Sequence, residues 1–139
     1  MKRVVIVEDN ELIVKFYRYV LERDGYVVSA TESGDETLQL ARATDTVAII
    51  LDISLKATSL QGRLIDGLEL GRTLKADPST RPVPIIVATA HAMAGDRERF
   101  LRQSGADAFL RKPVTDPIEL TSLIQRLSER RGSSPADGS

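Results

Sequence analysis

Short apolar runs alternate with amphipathic stretches along this chain. Val4-Val5-Ile6-Val7, Val47-Ala48-Ile49-Ile50-Leu51 and Ile85-Ile86-Val87-Ala88 are unbroken by polar residues. Val27-Val28 and Ala108-Phe109-Leu110 are weaker versions of the same pattern. Continuous rather than alternating apolarity suits strands buried on both faces, as in a parallel sheet.

The stretches between them read as helices with legible ends. Asn10 is placed to cap a helix carrying Ile13, Phe16 and Val20, which stops at Asp24-Gly25. Ser33-Gly34-Asp35-Glu36 has the form of a capping box ahead of Leu38, Leu40 and Ala41. A third helix is predicted over 67–76, with Leu70 and Leu74 on one face and a stop before Asp77-Pro78. A fourth is predicted over 96–104, carrying Phe100 and Leu101 and ending at Gly105. Asp116-Pro117-Ile118-Glu119 combines a cap, a proline in the first turn and a capping glutamate. It opens a helix with Leu120, Leu123, Ile124 and Leu127 on one face, ending near Arg130. Strand and helix thus alternate five times. Such alternation predicts an α/β fold, a five-stranded parallel sheet with helices on both faces. Residues 1–130 are expected to form one domain. Residues 131–139 lack an apolar anchor and are expected to be a disordered polar tail or the root of a linker.

Composition narrows the function. The chain has 139 residues, 42% hydrophobic and 28% charged, ordinary for one globular domain. A net charge of −1 argues against a nucleic-acid binder that relies on bulk positive charge. With no cysteine there are no disulfides, thiolate metal sites or cysteine nucleophiles, and one histidine argues against most zinc sites. No apolar run is long enough to span a membrane, and the start turns acidic at Glu8-Asp9 too soon for a signal peptide, so a cytoplasmic location is expected. Charge is uneven: residues 1–70 carry 8 basic and 12 acidic groups, residues 71–139 carry 11 and 8.

In an open parallel sheet the functional crevice lies beyond the carboxyl ends of the strands. The first strand ends in Glu8-Asp9, the third in Asp52, the fourth in Thr89-Ala90, and the fifth runs into Lys112-Pro113. Three carboxylates, a hydroxyl and an ammonium therefore converge on one rim. Unit charges about 4 Å apart interact by roughly 4 kcal/mol at an effective dielectric of 20. A held proton or a bound cation relieves that repulsion. Oxygen-only ligands favour a hard divalent ion such as Mg²⁺ or Mn²⁺. A carboxylate beside such an ion and a lysine is equipped to attack phosphorus and become an acyl phosphate, with Thr89 donating to a phosphoryl oxygen.

With these segments in this order, the chain resembles the receiver domains of bacterial two-component response regulators over about residues 2–129. The matching segments are Val4-Val5-Ile6-Val7-Glu8-Asp9-Asn10, Ile49-Ile50-Leu51-Asp52, Val87-Ala88-Thr89-Ala90 and Phe109-Leu110-Arg111-Lys112-Pro113. Met93-Ala94-Gly95-Asp96-Arg97-Glu98 and Gly105-Ala106-Asp107-Ala108 are also similar to the family. The finer resemblance is to single-domain receivers that act as cell-fate or phosphorelay regulators.

The resemblance implies a (βα)5 flavodoxin-like receiver fold with strand order 2-1-3-4-5. It implies that Asp52 is the phosphoacceptor, that Asp9 coordinates Mg²⁺ directly, and that Glu8 does so through water. The backbone carbonyl of Ser54 would be a further metal ligand. Lys112 would contact the phosphoryl group, and Thr89 with the backbone of Ala90 would bind it. Thr89 and Phe109 would form the switch, Phe109 rotating into space that Thr89 vacates, and Pro113 would follow a cis peptide. Ser54 and His91 stand where family side chains influence the lifetime of the acyl phosphate; His91 is not assigned a catalytic role. The implied donor is a histidine kinase or phosphotransfer protein. The implied output is a protein partner on the face of the fourth helix, fifth strand and fifth helix, where Arg97, Arg99, Arg102 and Arg111 lie. No direct nucleic-acid contact, no membrane contact and no enzymatic activity beyond the domain's own phosphorylation and dephosphorylation are expected.

One segment departs from the family. Thirteen residues, Ile53 to Ile65, separate Asp52 from Asp66-Gly67, without a proline. This longer loop is read either as a gate or partner contact beside Asp52 or as a tolerated insertion. Other functions fit less well. An aspartate-nucleophile phosphatase usually places a second acid where Ser54 stands. A nucleotide- or flavin-binding domain needs a glycine-rich loop after the first strand, and acids stand there instead. A receiver belonging to a larger hybrid kinase or multidomain regulator is the nearest alternative.

Overall fold

The computed structural model describes residues 1–54, 58–90 and 93–132. Its elements are β1 (Arg3–Val7), α1 (Glu11–Arg23), β2 (Val27–Thr31), α2 (Gly34–Arg42) and β3 (Thr46–Asp52). They continue with β4 (Thr58–Leu60), β5 (Arg63–Ile65), α3 (Gly67–Ala76), β6 (Ile85–Thr89), α4 (Asp96–Ser104), β7 (Ala108–Arg111) and α5 (Pro117–Gly132). Five strands form one parallel sheet in the order β2-β1-β3-β6-β7. With the short β4 and β5 set aside, this is the expected order 2-1-3-4-5.

The continuous apolar runs became the central strands because both faces of the sheet are covered. β1, β3 and β6 are almost wholly buried. Side chains alternate across a strand, so successive residues feed two separate cores. Val4, Ile6 and Ile50 pack with Tyr17 and Leu21 of α1 and with Leu120, Ile124 and Leu127 of α5. Val5, Val7 and Leu51 pack on the other face with Leu38 of α2 and with Leu70 and Leu74 of α3. Truncating one such leucine to alanine typically removes about 2–5 kcal/mol.

The helix ends follow the sequence. The Asn10 side chain accepts from the Leu12 and Ile13 amides, Ser33 from Glu36, Asp66 from Glu69 and Asp116 from Ile118. Each satisfies an otherwise orphaned donor in a first helical turn. α5 runs to Gly132, two residues beyond the sequence expectation. Among the described residues no helix is long and apolar enough to cross a membrane.

The long segment after Asp52 is corrected. The part over 58–65, read as loop, is an antiparallel hairpin of β4 and β5 pairing Thr58 with Ile65 and Leu60 with Arg63. Both turn residues are left-handed, Gln61 at φ 52° and Gly62 at φ 79°. Positive φ at both central positions is the two-residue turn whose twist matches the flanking strands. Leu60 and Ile65 point into the core, and the Gln61 amide donates to Asp35 Oδ1 at 2.9 Å. Thr58 Oγ1 donates to the Glu32 carbonyl, and Arg63 pairs with Glu69 at 2.7 Å. The hairpin is therefore fastened to the starts of α2 and α3.

Candidate functional site

The carboxyl ends of β1, β3, β6 and β7 deliver the site. Glu8 follows β1 directly, and its carboxylate folds back over the start of α1. Oε2 accepts from the amides of Asp9 and Asn10 at 3.1 and 3.3 Å. Oε1 accepts from Lys112 Nζ at 2.9 Å. Asp52 closes β3; its Oδ1 lies 3.3 Å from Lys112 Nζ and accepts from the Ser54 amide at 2.8 Å. One buried ammonium thus serves two buried carboxylates. Glu8, Asp52 and Lys112 are all under a tenth exposed, whereas Asp9 is exposed.

Lys112 is delivered by backbone. Its amide donates to the Thr89 carbonyl at 3.0 Å, and the peptide to Pro113 is cis. Thr89 ends β6 and is buried, with Oγ1 3.2 Å from Ser54 Oγ. Gly67 packs against the far side of Asp52. A Cβ there would stand 2.8 Å from the Asp52 carbonyl oxygen.

One oxygen from each of Glu8, Asp9 and Asp52 lies within 4.8 Å of the others. Three hard oxygen donors around one point, two of them buried, suit a hard divalent cation. The acids crowd one another. Burial first, then the neighbouring Asp52 carboxylate, pushes the Glu8 pKa up to about 7, against the opposing pull of Lys112. The hollow opens into a cavity of about 550 Å³. The acids, Lys112 and Ala90 line its polar end, and Leu12, Ile13, Phe16, Pro113 and Val114 line an apolar wall.

The structure therefore brings together Glu8, Asp9, Asp52, Ser54, Thr89 and Lys112, with Ala90 on the same cavity. Phe109 is half-buried against the core beneath α2 and α3. His91 lies outside the described residues. Sequence reasoning passed over Tyr17, which lines the acid hollow from α1. Its position four residues after Ile13 and four before Leu21 was the available signal that it faces the sheet.

A parallel sheet of this order, with acids and a lysine at the switch between β1 and β3, defines a receiver. The response regulator receiver domain family matches residues 4–125, and the chain belongs to that family. It is 44% identical over 128 residues to the polar-differentiation response regulator DivK of Brucella ovis, covering 92% of this chain and 98% of the relative. DivK of Brucella anthropi is 43% identical over the same shares. Among solved structures, the receiver domain of a sensor histidine kinase from Pseudomonas aeruginosa PAO1 is similar at TM-score 0.76 and 31% identity, covering 92% of this chain and 98% of that one. That structure has a magnesium ion coordinated in its active-site cleft. A CheY-like receiver domain from Methanospirillum hungatei JF-1 is similar at TM-score 0.74 and 27% identity, covering 96% and 99%.

Proposed function

We propose that this receiver accepts a phosphoryl group on Asp52 from a phosphohistidine of a histidine kinase or phosphotransfer protein, and signals through protein contact. The observation that carries the reading is the meeting of Glu8, Asp52 and Lys112 in one hollow. Glu8, Asp9, Asp52 and the Ser54 carbonyl are the groups that would hold Mg²⁺ or Mn²⁺. The ion would supply positive charge against the phosphoryl oxygens and the acid cluster.

This chain's own residues do the rest. An Asp52 oxygen forms the new bond to phosphorus as the bond from phosphorus to the donor imidazole breaks, and the electron pair leaves with the ring nitrogen. Lys112, already beside Asp52, stays against the added charge. The Ala90 amide and Thr89 hydroxyl take phosphoryl oxygens, which draws Thr89 from Ser54 and opens space for Phe109. The apolar wall of Leu12, Ile13, Phe16, Pro113 and Val114 borders the approach to Asp52 and suits the donor's own apolar surface. Output is carried by the face of α4, β7 and α5, where Arg97, Arg99, Arg102 and Arg111 are exposed. The likeness to DivK supports a cell-fate or phosphorelay role in the cytoplasm, with residues 1–130 as the working unit. The chemistry is confined to the domain's own Asp52.

The test uses a radiolabelled phosphohistidine donor. Label should pass to the protein only with Mg²⁺, be released by hydroxylamine as an acyl phosphate must be, and be absent from Asp52→Asn. Label that resists hydroxylamine, or that persists in Asp52→Asn, contradicts the reading.

A further inference from the structure

Ser54 and Thr89 meet side chain to side chain beside Asp52, their hydroxyl oxygens 3.2 Å apart. The Thr89 backbone is pinned. It ends β6, and its carbonyl accepts from the Lys112 amide at 3.0 Å. Movement of the Thr89 hydroxyl is therefore a rotation of the side chain. A β-branched side chain rotates between a few staggered positions rather than drifting among them. The hydrogen bond to Ser54 marks one of those positions.

Ser54 is tied to the phosphoacceptor. Its amide donates to Asp52 Oδ1 at 2.8 Å, and the preceding Ile53 amide donates to the Ala88 carbonyl at 3.1 Å. The Ser54 backbone is thus fixed relative to both Asp52 and β6, and its hydroxyl stays where one rotamer of Thr89 meets it. Ser54 is exposed, so on release its hydroxyl passes to water, whereas Thr89 is buried. A neutral hydrogen bond of that kind has a modest net worth, a factor of about five in an equilibrium. A hydrogen bond to a charged oxygen is roughly twice as strong. A phosphoryl oxygen on Asp52 therefore wins Thr89 from Ser54.

We propose that the Ser54 hydroxyl is a latch: it holds Thr89 in the unphosphorylated position and so sets how rarely the domain adopts the switched state unaided. Ser54 is a positioning residue, acting through Thr89 rather than on phosphorus. The inference rests on the Asp52 switch of the proposed function and names the side chain that sets its resting balance. A group that binds the switched state is held more weakly in proportion to how scarce that state is. Opening the latch therefore tightens the hold on such a group.

The experiment uses the full chain labelled with 4-fluorophenylalanine, the Phe109 fluorine signal being identified by its loss in Phe109→Leu. Beryllofluoride with Mg²⁺ is the phosphoryl probe. A reporter on β7 keeps the readout off the substituted pair. In Ser54→Ala without the probe, the Phe109 signal is expected to lie displaced toward its probe-bound position. Beryllofluoride should bind that variant up to about fivefold more tightly than wild type, and Ser54→Thr, which keeps a hydroxyl, should return both readings toward wild type. A Phe109 signal in probe-free Ser54→Ala that matches wild type overturns the latch, even where affinity changes, since a direct contact with the probe would do that alone. Equal or weaker affinity in Ser54→Ala overturns it as well. A wild-type Phe109 signal that beryllofluoride and Mg²⁺ leave unmoved refutes the switch itself, and the latch with it.

Discussion

Lys112 reaches Glu8 across 104 residues of chain, its Nζ 2.9 Å from Oε1, with both side chains almost fully buried. The same ammonium lies 3.3 Å from Asp52. Removing one partner of a buried ion pair leaves an uncompensated charge, typically at 3–5 kcal/mol or about that. Lys112→Ala is expected to lose stability on that order at pH 8 by urea unfolding. The loss should shrink at pH 5, where Glu8 holds a proton.

Glu8 also fixes the direction of the pH response. Its pKa is about 7 in the folded chain against 4.5 for the ordinary group. Between those values the folded protein binds more protons than the unfolded one, so stability falls as pH rises through the window. Thermal unfolding of metal-free protein from pH 4.5 to 7 should show that decline. Because proton and cation compete for the same carboxylate, Mg²⁺ affinity should rise over the same range, and saturating Mg²⁺ should flatten the decline.

The hairpin turn offers a backbone test. Gln61 holds φ 52° and Gly62 φ 79°. A left-handed conformation costs about 1–2 kcal/mol for a residue with a Cβ. Gly62→Ala should destabilise by about 1 kcal/mol, and Gln61→Gly should be neutral or stabilising, both read from urea midpoints.

Gly67 supports Asp52 by its lack of a side chain. A Cβ would stand 2.8 Å from the Asp52 carbonyl oxygen and 2.9 Å from the Ile53 Cα. Both are backbone atoms that cannot swing aside, so Gly67→Ala must move the end of β3. It is expected to weaken phosphorylation of Asp52 by more than it lowers the melting temperature would suggest, measured as the initial rate with a small phosphodonor.

The main frame of this molecule was legible because two-sided burial writes itself as unbroken apolar runs, as in β1, β3 and β6. Helix boundaries were legible because Asn10, Ser33 and Asp116 cap by their own side chains. The acids and Lys112 were legible because strand ends in a parallel sheet share one rim. The hairpin was not, since each strand is only three residues long and its pairing depends on the starts of α2 and α3. Gln61-Gly62 was the cue, a glycine-bearing pair between Leu60 and Arg63. Tyr17 was missed for another reason. Helical spacing marks it as core, and only the tertiary structure places it on the wall of the acid hollow.

The most direct measurement is the intact mass of wild type and Asp52→Ala after incubation with phosphoramidate and Mg²⁺. Wild type should gain one phosphoryl group and the variant none. A gain in both proteins moves the acceptor away from Asp52, and a gain in neither removes phosphoryl acceptance from this fold's account.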